Sequence, residues 1–173
     1  MNGDPGTAAV TLRDAIDKAC AAGDFRAAAV ARVRLGRVLR AAGDRASARA
    51  ITSSAKEWYD GFGGGEGALL AETSLAALDA EEGKDDAVQR LVIALEHARG
   101  ANDHEVEVLA LDALARCHAA AGELDQARAF LARADDMIPA AAHLVFDSDR
   151  IDARGARGLI EDAHPARALS TPN

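Results

Sequence analysis

Alanine, leucine and valine recur at intervals of three and four residues along most of the chain, and the recurrence breaks at glycines. The pattern is clearest from Leu111 to Pro139, where Leu111, Leu114, Ala115 and His118 precede Gly122, and Ala127, Leu131 and Ala134 follow it. Apolar positions three and four apart on both sides of one glycine predict two helices folded back on each other. The same reading predicts helices over about 7–22, 24–42, 44–60, 68–82 and 84–99. A sixth is opened by a capping box at Asn102 and Glu105 and ends near 121, a seventh covers 123–138, and an eighth covers 140–154. Gly23 and Gly43 stop helices that Asp24 and Asp44 restart. The predicted organisation is a disordered 1–6, a helical domain over 7–154 with hairpins at about 24–60, 67–100 and 102–138, and a frayed 155–173.

Superposing the turn glycines exposes a repeat, because Gly43, Gly83 and Gly122 lie 40 and 39 residues apart. Leu35, Leu75 and Leu114 stand eight residues before them, and Ala48, Val88 and Ala127 five residues after. Leu35-Gly36, Leu75-Ala76 and Leu114-Ala115 put a small residue where two helices must approach closely. The spacing resembles the tetratricopeptide pattern W-x2-L-G-x2-Y, A-x3-F, P over residues 28–139, with Arg32, Glu72 and Leu111 at the tryptophan position and Leu39, Asp79 and His118 at the tyrosine position. A period near 40 is similar to the longer repeats of sensor regions in large bacterial signalling regulators. The resemblance implies an all-α fold, a right-handed α-solenoid of about eight antiparallel helices in which the first and last helices cap the stack.

Composition supports helix throughout. Aromatics are 3% of the chain, so the core must be built from Ala, Leu, Val and Ile at short helix–helix distances. The net charge is -8, which excludes non-specific nucleic-acid binding. That charge is unevenly spread: residues 1–50 carry nine basic and five acidic groups, and residues 51–173 carry eleven and twenty-three. Cys20 and Cys117, far apart in helical patterns, read as reduced, buried thiols of a cytoplasmic protein. No export signal or membrane span is expected.

Candidate chemistry is sparse. Gly61 to Gly67 holds five glycines in seven residues but lacks the Gly-Lys-Ser/Thr ending of a phosphate loop, and it reads as a flexible connector. Beside it Trp58, Tyr59 and Phe62 form either a binding hot spot or a core aromatic with a tacked-down loop. Glu96, His97, His104 and Glu107 are close in sequence without a metal-binding spacing, and Cys117 and His118 diverge on a helix and form no catalytic pair. Asp147, Asp149 and Asp152, like Glu81, Glu82, Asp85 and Asp86, read as solvated faces. No catalytic residue, metal or cofactor is expected.

Arg26, Arg32, Arg34, Arg37, Arg40, Arg45 and Arg49 crowd 24 residues and require either a partner or counter-charges within the molecule. By the tetratricopeptide resemblance, the concave face carries Val30, Val33, Arg37 and Arg40, then Leu70, Thr73, Ala77 and Ala80, then Leu109, Asp112, Arg116 and Ala119. The implied function is a non-catalytic module, an adaptor or a regulatory sensing domain, that binds an acidic or amphipathic protein or peptide segment through Arg37, Arg40, Arg116, Asp112, Thr73 and the Trp58, Tyr59, Phe62 corner. The alternatives are a small-molecule or catalytic pocket between hairpins, and a homo-oligomer in which the basic half of one copy docks on the acidic half of another.

Overall fold

The computed structural model describes residues 5–140 together with Arg157 and Ile160. Among these residues the fold is all-α, with seven helices: α1 (Pro5–Ala21), α2 (Phe25–Ala41), α3 (Arg45–Gly61), α4 (Glu66–Glu81), α5 (Ala87–Ala101), α6 (His104–Ala120) and α7 (Leu124–Ala140). Of the eighth helix expected over 140–154, Ala140 belongs to the end of α7 and 141–154 lies outside the described residues.

One device joins all seven. A residue at positive φ sits at the equivalent place in every turn, Gly23, Gly43, Gly63, Gly83, Asn102 and Gly122, and in the α3–α4 turn Gly64 and Gly65 follow it at positive φ. The next residue in each case donates its N–H to the carbonyl four residues before that position, in the bonds Asp24 to Ala19, Asp44 to Leu39, Gly64 to Tyr59, Lys84 to Asp79, Asp103 to Ala98 and Glu123 to His118, all 2.8–3.0 Å. This is the Schellman closure that glycine permits without steric cost. The turn residues fall 20 apart, with one interval of 19, so the structural unit is one helix plus its turn. Asn102 is therefore the left-handed end of α5 (φ 55°) rather than a helix opener, because asparagine tolerates that region. Asp103 caps α6 by accepting from Val106 N at 3.1 Å, as Asp24 and Asp44 cap α2 and α3.

Each helix packs on the next in sequence, and α4 additionally packs on both α2 and α6. The burial pattern follows from these contacts. In α3 the buried residues are Ala48, Thr52, Ala55 and Tyr59, one stripe; α5 likewise buries Ala87, Leu91, Ala94, Leu95 and Ala98. By contrast α4 is buried almost all round from Leu70 to Asp79, and α6 from Val108 to Ala115, as helices with neighbours on several sides must be. α1 covers one end, where Ala9 and Ile16 pack with Leu35, Val38 and Leu39. Ile160 packs with Ala115, Ala119, Ala127 and Leu131 at the other.

Small residues set the spacing. A Cβ on Gly36 would lie 2.1 Å from Thr52 Oγ1 and 3.2 Å from the Ala48 carbonyl, so α2 and α3 touch at this glycine. Ala76 and Ala115, at the same position of the later repeats, are also buried.

Candidate functional site

The crowded arginines of α2 meet acids from two other helices. Arg34 grips Glu105 through Nε and Nη2 at 3.3 and 3.2 Å, and Arg37 Nη1 reaches the same carboxylate at 3.1 Å. One turn further on, Arg40 Nη2 lies 3.3 Å from Asp112 Oδ2 and its Nη1 3.6 Å from Glu81. Arg116 donates to Asp112 at 3.0 Å and Arg45 to Glu81 at 3.0 Å. Arg37 and Asp112 are each 1% exposed, and Thr73 and Ala77 of α4 are equally buried. The arginines that the concave-face pattern singles out thus form a closed network that ties α2 to α6. Thr73 donates to the Leu69 carbonyl at 2.7 Å, within its own helix.

A second network surrounds Asp79. Its carboxylate accepts from Lys84 at 2.5 Å and Arg90 at 2.8 Å, and pairs with Arg49 at 2.8 Å. Arg90 also reaches Glu72 at 2.5 Å and Arg49 reaches Glu82 at 2.9 Å, which knits α3, α4 and α5 together. Burial works to raise the Asp79 pKa, but the hydrogen bonds from Lys84, Arg90 and Arg49 prevail and hold it at about 2. Glu81 and Glu82, read from sequence as a solvated face, are therefore structural partners. What sequence reasoning missed was the acid side of both networks, Asp79 and Glu105. A signal existed: Asp79 occupies the repeat's tyrosine position, where a charge demands a reason.

The aromatic corner is divided. Tyr59 is 3% exposed and buried against α4, whereas Phe62 is 72% exposed. Trp58, half-buried, stacks on Phe62 at 4.8 Å and meets Tyr59 edge-on at 5.2 Å. The connector is shorter than expected, because α3 runs through Gly61 and α4 starts at Glu66. Phe62 and Gly64 both donate to the Tyr59 carbonyl, at 3.1 and 2.8 Å, so the turn has defined backbone bonds. Gly67 makes room for Tyr59, since a Cβ there would sit 2.1 Å from Cζ and from the phenol oxygen.

Beside this turn lies a cleft of about 580 Å³, lined by Arg26, Val30 and Arg34 of α2, by Tyr59, Gly65, Gly67, Leu69 and Leu70, and by the residues from Ala101 to Glu105. The buried Tyr59 hydroxyl has no hydrogen-bond partner. Desolvation raises its pKa, with Arg26 and Arg34 acting in the opposite sense. Gly65, at the N-cap of α4, offers no side-chain cap.

The remaining candidates stay apart. His118 pairs through Nδ1 with Glu123 at 2.5 Å and stacks on Phe130. Cys20 and Cys117 are free and half-buried, not fully buried, with Arg32 Nη2 3.6 Å from the Cys20 sulfur. Burial, with the nearby Glu81 charge, raises the Cys117 pKa. Among the described residues no group of three His, Cys, Asp or Glu is placed to hold a metal ion, and no helix is long and apolar enough to cross a membrane. His143, His164 and the Asp147, Asp149, Asp152 group lie outside the described residues. Comparison with protein-family models, with curated proteins and with solved structures finds no match to the chain.

Proposed function

We propose that this chain is a non-catalytic protein-interaction module, an adaptor or regulatory domain of the cytoplasm, built as a tetratricopeptide-like right-handed α-solenoid. Packing of α4 on both α2 and α6, with a helix-plus-turn unit that recurs every 20 residues, supports the solenoid reading. The partner contact centres on Trp58 and Phe62. The observation that carries this is an exposed aromatic stacked on a second one, on a turn whose backbone bonds are made. Such a pair offers large apolar area at small ordering cost, the property of interface anchors. Arg37, Arg40, Arg116 and Asp112 serve this function indirectly, by fixing the helices that present the turn, since their charges are already engaged inside the chain.

Photo-crosslinking tests this reading. A benzophenone amino acid placed at position 62, and a second at the exposed position 132 of α7, are irradiated in lysate and the adducts are identified by mass spectrometry. A defined partner is expected at 62 and not at 132, and it should be lost when Trp58 is replaced by alanine in a variant whose helicity is intact. Identical adducts at both positions would contradict the assignment.

A further inference from the structure

We infer that the α3–α4 turn is a self-association surface, in which the exposed Phe62 ring of one copy enters the cleft of a second copy and that copy's Phe62 enters the cleft of the first. The inference rests on the reading of Trp58 and Phe62 as a partner contact, and it names the partner.

Knob and hole lie side by side on one turn. Phe62 is 72% exposed, the most of any large apolar side chain among the described residues, and Trp58 stacks behind it at 4.8 Å. Gly65, three residues on, begins the wall of the cleft, and neither it nor Gly67 brings a side chain there. Phe62 is not among the residues that line the cleft, so the ring does not fill the hole of its own copy. Val30, Leu69, Leu70 and Ala101 supply an apolar lining, and about 580 Å³ is ample for one aromatic ring. A patch that lies next to its own complement is self-complementary about a two-fold axis, and such a contact closes as a dimer instead of growing into a fibre.

The charges agree with a second copy as the occupant. Inside the cleft Glu105 is held by Arg34 and Arg37 and Asp103 caps α6, so the hole suits an uncharged ring. Outside it, Arg26 on the rim and Glu57 beside Trp58 are both exposed and make no ion pair among the described residues. The two-fold arrangement that seats Phe62 brings Glu57 of one copy toward Arg26 of the other, twice per dimer, which is the complementarity that fixes register in an interface. Phe25, next to Arg26 and 54% exposed, adds apolar surface at the same end of the fold. A second copy thus supplies both the ring for the cleft and the counter-charge for its rim.

The test is analytical ultracentrifugation of the full chain. A monomer–dimer equilibrium is expected, with a dissociation constant on the order of 10–100 µM because the contact has few anchors. Phe62→Ala, with an unchanged circular dichroism spectrum, should weaken association by about tenfold or more. Arg26→Glu should weaken it several-fold, Arg26→Glu combined with Glu57→Arg should restore most of the loss, and Arg13→Glu, the same charge change on α1, should leave it unaltered. A chain that stays monomeric at about 1 mM overturns the inference, as does a dimer indifferent to Phe62→Ala or one that the charge swap does not rescue. The underlying reading fails separately. A benzophenone at position 62 that captures a different protein, from a chain monomeric in solution, removes the second copy and keeps the aromatic contact, whereas loss of both the crosslink and the self-association removes the contact itself.

Discussion

Arg40 and Arg26 stand on the same helix in opposite surroundings. Arg40 projects where α2 is flanked by α4 and α6, and finds Glu81 and Asp112 at once. Arg26 stands at the beginning of α2, opposite the first residues of α4 and α6, where Asp103 caps its own helix and Glu105 is held by Arg34 and Arg37. The difference teaches that arginine density does not mark a docking surface in a stacked-helix protein. Position along the stack decides whether a guanidinium becomes an internal strut or stays available.

The largest way to break this comparison is to remove a strut. Arg40→Met should cost about 3 kcal/mol in urea denaturation, because it leaves the buried Asp112 carboxylate and the half-buried Glu81 short of a partner; the double variant with Asp112→Leu should recover part of that. A single-variant loss below about 0.5 kcal/mol would show that burial of the pair carries no weight. Next is Gly36→Ala, whose Cβ would overlap Thr52 Oγ1. It should destabilise by about 1–3 kcal/mol, and Thr52→Ala in the same chain should relieve most of the loss.

The acid limb sharpens the second network. Asp79 has a folded pKa of about 2, below the ordinary aspartate value of 3.8, so its stabilisation is complete above about pH 4 and is lost as the pH falls toward 2. The lowered values of Asp44 and Glu82 act in the same direction. An acid titration of thermal stability should show a loss on the order of 1–2 kcal/mol from Asp79 across that window, and Asp79→Asn should flatten that step while it lowers stability at neutral pH. The smallest effect is expected at Phe62. Its alanine variant should keep wild-type stability within about 0.5 kcal/mol, and a larger loss would mean that the ring is a packing element rather than a presented one.

The helices and the hairpins were legible because glycines punctuate an unbroken three-and-four pattern. Gly43, Gly83 and Gly122 disclosed a period near 40, but the finer unit of 20 was hidden, since Asn102 fills a position that glycine fills elsewhere. Charge pairing was half legible. Seven arginines in 24 residues demanded counter-charges, yet the acids that supply them, Glu81, Glu105 and Asp112, are over thirty residues away in sequence, and only the packing of α2, α4 and α6 brings them within reach. The cleft was not legible at all. It arises where three segments end beside one another, and no local pattern records the meeting of helix termini.

The central claim, that the inner arginines are struts and the rim arginine is free, is most directly tested by arginine-selective labelling. The native chain is treated with a dicarbonyl reagent and each site's rate is followed by mass spectrometry. Arg26 should react rapidly, whereas Arg37 and Arg40 should remain unmodified until denaturant unfolds the protein. Labelling of Arg37 and Arg40 at the rate of Arg26 in the folded chain would contradict the account.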